Sequence, residues 1–144
     1  MSAKLEFIDT NILIYAFDPS STHKHQFAKQ LLDRLWFEHT GCLSIQVMQE
    51  FFVNVTRKIA HPLSILEANQ VLKDYSEWIV HSPSPMTVIT ATQLLQETNI
   101  SFWDALMVTS ALELGCSILW TEDLNHTQKY GDLQILNPFR DSSN

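Results

Sequence analysis

Four acidic residues stand where a strand is predicted to end or in the opening turns of a predicted helix. They are Asp9, Glu50, Asp104 and Asp123. Asp9 separates two apolar runs, which predicts a buried strand ending at Asp9 and a helix that begins at Thr10 or Asn11. Asp123 also follows a short apolar run. Ligands of open α/β sheets bind just beyond the carboxyl ends of the strands, so both aspartates are expected at one edge of a sheet.

The other two acids are expected at the same edge, because Asp104 opens a helix and Glu50 lies within the first two turns of another. Four carboxylates in one place repel each other and raise each other's pKa unless a cation neutralises them. Oxygen ligands without clustered His or Cys suit Mg²⁺ or Mn²⁺. Such ions activate water and stabilise charge on a phosphodiester.

Each acid taken singly also has a structural explanation. Asp9 fits the N-cap of the helix that follows it. Ser101 and Asp104 fit a capping box, in which Asp104 reaches back to a backbone N–H. Glu50 fits a solvated helix face, and Asp123 fits a surface turn. The functional interpretation therefore depends on all four acids coming together.

The remaining sequence predicts the scaffold for these acids. Further helices are predicted at about 23–38, 45–58, 64–76, 86–97 and 103–114, and short strands near 42–44, 78–80, 117–120 and 133–136. Alternating strands and helices predict an α/β fold with a mostly parallel sheet and helices on both faces. The length of 144 residues is typical of one domain. We expect it to span residues 1–140, followed by a polar tail at 141–144.

Composition narrows the functional classes. The net charge of −7 argues against a nonspecific polyanion binder with a basic surface, although clustered carboxylates at a metal site also produce negative charge. The sequence contains no run of about 20 apolar residues and no secretory signal pattern, so a cytoplasmic protein without a membrane segment is expected. Cys42 and Cys116 lack CxxC spacing and are predicted to be buried free thiols.

Four sequence blocks carry a family resemblance. They are Phe7–Tyr15, Gln49–Phe51, Ser101–Leu106 and Leu119–Leu124. In their order and spacing they resemble the PIN-domain ribonucleases, and most closely the VapC-type toxins of toxin–antitoxin pairs. The resemblance implies a three-layer α/β/α PIN-like fold with a mostly parallel central sheet. It also implies Mg²⁺-dependent endonucleolytic cleavage of RNA, with Mn²⁺ as a substitute ion.

The resemblance also implies roles for individual residues. Asp9, Glu50, Asp104 and Asp123 become the catalytic acids that hold the metal. Asn11 and Thr121 match small polar positions that orient these carboxylates. Glu122 either joins the site or only precedes the fourth acid, and Asp123 is the preferred ligand.

Other residues are candidates for contacts with RNA or with protein partners. Arg57, His126 and Lys129 are candidates for contacts with the RNA backbone. Arg57 fits a solvated position near a helix end equally well, and His126 and Lys129 fit surface residues without a function better. The resemblance implies a homodimer and a cognate antitoxin that covers the acids. Phe37 and Tyr75 are examples of apolar residues that this partner surface would use.

Other functional classes fit less well. A dinucleotide-binding domain needs GxGxxG after its first strand, and glycine occurs only at positions 41, 115 and 131. A haloacid-dehalogenase-type phosphatase needs a second acid where Asn11 stands. A receiver domain needs an acidic pair at the end of its first strand. The remaining alternative is a catalytically inactive PIN-like module that acts through protein complexes.

Overall fold

The computed structural model describes residues 3–140, in which helices cover both faces of one mixed sheet. The helices are α1 Thr10–Ala16, α2 His23–Glu38, α3 Ile45–Val55, α4 Ile65–Tyr75, α5 Pro85–Leu94 and α6 Phe102–Glu113, with a 3-10 turn at Pro19–Ser21. The strands are β1 Glu6–Ile8, β2 Gly41–Ser44, β3 Ile79–His81, β4 Ile118–Trp120, β5 Lys129–Tyr130 and β6 Leu133–Leu136. The predicted polar tail, 141–144, lies outside the described residues.

The strand order is β3-β2-β1-β4-β6-β5. Neighbouring strands are parallel except for β5 and β6, which form an antiparallel pair at the edge. The predicted α/β class with a mostly parallel sheet is therefore confirmed. Strand β1 lies centrally, with Ile8 opposite Trp120 of β4, so the segments after β1 and β4 leave the sheet at the same edge.

Strand β1 is central because its apolar side chains are completely buried. Phe7 and Ile8 are fully inaccessible to solvent, as are Ile12 and Leu13 on α1. They belong to one hydrophobic core that includes residues of the sheet and of α2 and α3. This burial fixes the register of β1, so Asp9, the next residue, is held at the end of a rigid strand. Its backbone N–H donates to the Trp120 carbonyl at 3.0 Å.

Helices α3 and α5 end earlier than predicted, and one strand was not predicted. Helix α5 ends at Leu94 rather than near Glu97. Helix α3 ends at Val55 rather than near Lys58, because the Val55 carbonyl accepts the N–H of Leu63 at 2.8 Å instead of continuing the helical ladder, and the Arg57 N–H forms a tighter turn to the Asn54 carbonyl at 3.3 Å. Strand β5 was not predicted. It has only two residues, too few for a periodic pattern, and it pairs with β6 across a turn in which Gly131 has a φ of 60°.

An aromatic cluster of Trp36, Tyr75 and Trp78 lies near the start of strand β2, away from the acids. Tyr75 is only 5% exposed and packs edge-on against Trp36, so the prediction that Tyr75 serves a partner surface is wrong. Phe37 is 86% exposed and remains available. Gly41 is required beside this cluster, because a Cβ there would lie 2.5 Å from the Trp78 ring.

Two further predictions concern the cysteines and a membrane-spanning helix. Cys42 and Cys116 are buried free thiols, as predicted. No helix within residues 3–140 is long and apolar enough to cross a membrane.

Candidate active site

The acid that follows β1 is buried, and no Lys or Arg within residues 3–140 forms an ion pair with it. Asp9 is 7% exposed. It occupies the N-cap position of α1, but its side chain makes no capping hydrogen bond. Instead it accepts a hydrogen bond of 2.6 Å from the Thr121 hydroxyl. Burial, and then the charges of Asp123 and Asp104, raise the pKa of Asp9 to about 7 against the opposing hydrogen bond from Thr121.

Asp104 and Asp123 approach Asp9 from two other elements. Asp104 lies in the first turn of α6, where its backbone N–H donates to the Ser101 hydroxyl at 3.1 Å. Ser101 is thus the helix cap, and the predicted reciprocal capping box is not formed. Burial and the charge of Asp123 raise the pKa of Asp104, opposed by a hydrogen bond from Ser101. The electrostatic coupling shows that these three carboxylates share one region.

Small polar side chains tie the acids together. The Thr121 hydroxyl donates to Asp9 and accepts the backbone N–H of Asp123 at 3.1 Å. The Asn11 amide donates to Asp123 Oδ2 at 3.4 Å. In the same turn of α1, the Thr10 hydroxyl donates to Glu50 Oε1 at 3.1 Å. Asp9, Glu50 and Asp123 are therefore linked through the first turn of α1 and Thr121.

Glu122 faces a different set of partners. Its carboxylate forms an ion pair of 2.7 Å with Lys24 of α2 and accepts the hydroxyl of Tyr15. The Lys24 ammonium also lies 5.1 Å from the centre of the Tyr15 ring. The protein already neutralises Glu122, whereas Asp123 beside it is exposed. This contrast favours Asp123 over Glu122 as the fourth acid.

The chemistry of the site fits a hard divalent cation that keeps part of its water shell. Within residues 3–140, no three His, Cys, Asp or Glu side chains are close enough together to hold a metal ion by themselves. Mg²⁺ usually retains several waters and takes one or two carboxylates directly. A buried aspartate whose pKa is raised by neighbouring acids supplies such a carboxylate, since a bound cation would relieve that repulsion.

Comparison with known proteins identifies the family of the chain. The family model described as "PIN domain" matches residues 7–132. The chain belongs to the PIN-domain family. No curated protein matches the sequence of this PIN domain.

Solved structures share the fold of this PIN domain at low sequence identity. A toxin–antitoxin complex from Klebsiella pneumoniae is 20% identical, with a TM-score of 0.69 over 92% of this chain and 97% of that chain. VapBC2 from Rickettsia felis, bound to a promoter DNA fragment, is 21% identical, with a TM-score of 0.62 over 91% and 96%. VapC20 from Mycobacterium tuberculosis, a toxin that cleaves the sarcin–ricin loop, is 19% identical, with a TM-score of 0.59 over 79% and 86%. At these identities the likeness shows the fold alone.

The three candidate RNA contacts have different positions in the PIN domain. Exposed Arg57 lines a hollow between α3 and α4 with Phe52 and Ile65. This hollow shares no lining residue with a second cleft, which lies beside Asp104. The His126 ring accepts the backbone N–H of Asn137 at 3.0 Å, which anchors the loop after β4. Lys129 is exposed on β5. None of these contacts points to an RNA phosphate, so their role in binding RNA stays a prediction.

A cleft of about 480 Å³ opens beside Asp104 and Asp123. Its other walls come from the loops before α6 and after β4, and it includes the side chains of Asn99, Asn125 and Gln128. These amides could not be recognised from the sequence, because isolated Asn and Gln residues in loops are ordinary turn formers. Their position next to two of the four blocks was the only available signal.

Proposed function

We propose that this PIN domain is a metal-dependent endoribonuclease and the toxin of a type II toxin–antitoxin pair. The observation that carries the proposal is the state of Asp9. This carboxylate is 7% exposed, takes part in none of the ion pairs found within residues 3–140, and feels the charges of two more acids. Unpaired buried charge is costly, so a stable fold that keeps this arrangement is best explained by a cation as its partner.

In this proposal Asp9, Asp104, Asp123 and Glu50 are the catalytic acids that would hold Mg²⁺, or Mn²⁺ in its place, in part through the ion's retained water molecules. When bound, the ion supplies an activated water and stabilises charge on the cleaved phosphodiester. The side chains around the acids orient them. The Thr121 hydroxyl fixes Oδ2 of Asp9, and Asn11 restrains the exposed carboxylate of Asp123. Glu122 supports the same segment from outside the site.

The proposed partners follow from the family and from the surface. Several structural neighbours are toxin–antitoxin complexes, and by likeness we assign this chain an antitoxin partner, an RNA substrate and a homodimeric state. Helix α3 presents an apolar hollow of about 490 Å³ lined by Met48, Phe52 and Val53, together with Leu72 of α4. Exposed apolar surface of this kind is typical of a protein–protein interface.

The test is cleavage of total RNA by the purified chain, with Mg²⁺ or Mn²⁺ and with EDTA. We expect discrete fragments that need the metal. Asp104→Asn should lower the rate by at least about 100-fold, more than is usual for residues that only support a ligand. Asp33→Asn, an exposed acid on α2, is the matched control and should cleave like the wild type.

The alternative of an inactive binding module makes a different prediction. In that case Asp104→Asn and the wild type would be equally inert, and the purified chain would only form complexes. Asp104 contributes its backbone N–H to the Ser101 cap, and asparagine retains that group, so the variant should fold. Cleavage by Asp104→Asn at the wild-type rate, or undiminished cleavage in EDTA, would overturn the proposal.

A further inference from the structure

The cleft beside the acids is formed by two loops, and each loop also positions one carboxylate, since Ser101 caps Asp104 and the other loop begins at Asp123. One wall is the segment 97–101 before α6, and the other is the segment 123–128 after β4, with Tyr130 of β5 between them. The volume of about 480 Å³ lies within the ~300–1,000 Å³ of sites that enclose small molecules. The cleft is therefore large enough for a single nucleotide unit.

The polar groups of this cleft do not suit a phosphate. Among the lining residues within 3–140, Glu97 is the one charged residue besides Asp104 and Asp123, and none of them is Lys or Arg. Phosphate contacts depend on positive side chains. The lining instead contains the side-chain amides of Asn99, Asn125 and Gln128. An amide offers both donors and an acceptor, which is what the edge of a nucleobase requires.

Two of these amides are held together in a defined orientation. The Asn125 amide nitrogen donates to Gln128 Oε1 at 3.1 Å. This bond leaves the oxygen of Asn125 as an acceptor and the amide nitrogen of Gln128 as a donor. Nucleobases carry adjacent donors and acceptors on their edges, and Asn and Gln pair with such edges through two hydrogen bonds.

The loop that carries the pair is itself fixed. The Gln128 backbone N–H donates to the Asn125 carbonyl at 3.2 Å, and the Gln128 carbonyl accepts the N–H of Ile135 at 2.8 Å. Thr127 between them has a φ of 69° and donates its N–H to the Ile135 carbonyl at 2.7 Å. The amide pair is therefore anchored to β6 before any ligand binds, which lowers the entropic cost of recognition.

The remaining lining suits the flat faces of a base. Ile100 and Leu124 are half-buried and contribute apolar surface from the two opposite loops. Tyr130 is 8% exposed, and burial followed by the charge of Asp104 raises its pKa. Its hydroxyl therefore stays protonated beside that acid. Apolar walls with a few fixed polar groups are the usual composition of a binding site for a small planar ligand.

We propose that this cleft is the subsite for one unstacked nucleobase of the RNA, adjacent to the cleaved phosphodiester, and that Asn125 and Gln128 read its edge. The inference rests on the proposed ribonuclease function, because it places the scissile phosphate at the acids. The subsite requires a base that is not stacked within a helix, since only an unstacked base enters such a cleft.

The first experiment maps fragment ends after cleavage of a randomised single-stranded RNA. The wild type should show a base preference next to the cut, and Asn125→Ala and Gln128→Ala should weaken it roughly 10-fold, as for the loss of one bidentate contact. Gln128→Glu replaces the donor with an acceptor at constant size and should change which base is preferred. Gln30→Ala, an exposed glutamine on α2, is the control. An unchanged preference in both amide variants would overturn the subsite.

The second experiment does not depend on cleavage. The side-chain amide signals of Asn99, Asn125 and Gln128 are followed by NMR while each of the four nucleoside monophosphates is added to metal-free protein. Shifts at these signals, with Gln30 unmoved, support the subsite even if the wild type cleaves no RNA, which would refute the proposed function alone. Absence of shifts together with an unaltered cleavage pattern would remove the subsite and leave the ribonuclease proposal intact.

Discussion

Two buried acids stand at the two ends of strand β1, Glu6 as its first residue and Asp9 directly after its last, and their pKa values shift in opposite directions. Glu6 is 6% exposed and Asp9 is 7% exposed. Burial disfavours the charge of Glu6, but hydrogen bonds from Arg34 and Trp120 outweigh it and lower the pKa of Glu6. The two oxygens of Glu6 each accept a guanidinium N–H at 2.8 Å. Asp9 accepts the Thr121 hydroxyl and a backbone hydrogen bond from Thr10 but forms no ion pair within residues 3–140, and its pKa rises to about 7.

This difference separates a structural acid from a functional one. Burial alone does not identify a site, because both acids are almost equally buried. What distinguishes Asp9 is that its neighbours within residues 3–140 include further acids and that no Lys or Arg forms an ion pair with it. A group strongly perturbed by burial and by like charges is a functional candidate on physical grounds. Variants of Glu6 therefore serve as controls for variants of Asp9.

The largest effect is expected from Asp9→Asn. If Asp9 holds the metal, this change should reduce RNA cleavage by at least about 100-fold, a larger loss than for residues around a ligand. The fold should survive, because asparagine can still accept the Thr121 hydroxyl. Rates would be measured at saturating Mg²⁺ with a defined RNA. Glu6→Gln is the matched comparison and should retain the wild-type rate per folded molecule. Equal losses in both variants would cancel the functional distinction.

The pH dependence of metal-free stability should also divide the two acids. Asp9 has a raised pKa of about 7 when folded, against 3.8 ordinarily. Below about pH 4 both states bind its proton and it contributes nothing. Between about pH 4 and 7 the unfolded chain loses the proton while the folded chain keeps it, so the free energy of unfolding falls as pH rises, by a few kcal/mol at most.

Thermal unfolding in EDTA checks this prediction. The wild type should lose stability from pH 4 to pH 7, and Asp9→Asn should lose less. Mg²⁺ should restore stability to the wild type above pH 7, where Asp9 is ionised. Glu6 has a lowered pKa, so its contribution is present above its ordinary pKa and is lost in acid. The same dependence of stability on pH in the wild type and in Asp9→Asn would show that the pKa of Asp9 is not raised in the folded protein.

Glu6→Gln should lower the free energy of unfolding by about 2 kcal/mol. Breaking a buried pair costs about 3–5 kcal/mol, and the 41% exposure of the Arg34 side chain allows water to compensate in part. Glu38→Gln is the control, since Glu38 pairs with the same Arg34 from an exposed position and should cost at most about 0.5 kcal/mol. Urea unfolding measures both. Equal small losses would mean that Arg34 gives Glu6 no special support.

The sequence predicted the fold because the strands and helices carry regular apolar patterns. The bounds of α2 agree with the prediction, since Leu31, Leu32 and Leu35 are buried at helical spacing. Asp9 and Asp123 could be placed at one edge because parallel strands β1 and β4 end together. The two-residue strand β5 has no such pattern and escaped prediction.

The state of each acid was harder to predict than its position. Glu122 and Asp123 are adjacent, and nothing local distinguishes them. Their difference arises from Lys24 and Tyr15, which lie 98 and 107 residues away in the chain. The amides of Asn125 and Gln128 escaped notice for the same reason, because their role depends on a cleft that only the folded chain forms. Patterns of periodicity report burial, whereas partners across the fold decide charge.

The smallest effects are expected at Glu122, and they sharpen the comparison within the acidic segment itself. If Lys24 neutralises Glu122 so that the segment holds Asp123 in place, Glu122→Gln and Lys24→Met should each lower cleavage only about 3- to 10-fold, at the low end for residues that support a ligand. Lys24→Arg retains the charge and should recover most of the rate. Lys29→Met, which changes an exposed lysine on the same helix, should have no effect.

If Glu122→Gln instead loses as much cleavage as Asp9→Asn, Glu122 is a metal ligand. Because Lys24→Met leaves the Glu122 carboxylate in place, a small loss in this variant beside a large one in Glu122→Gln would separate ligation from support.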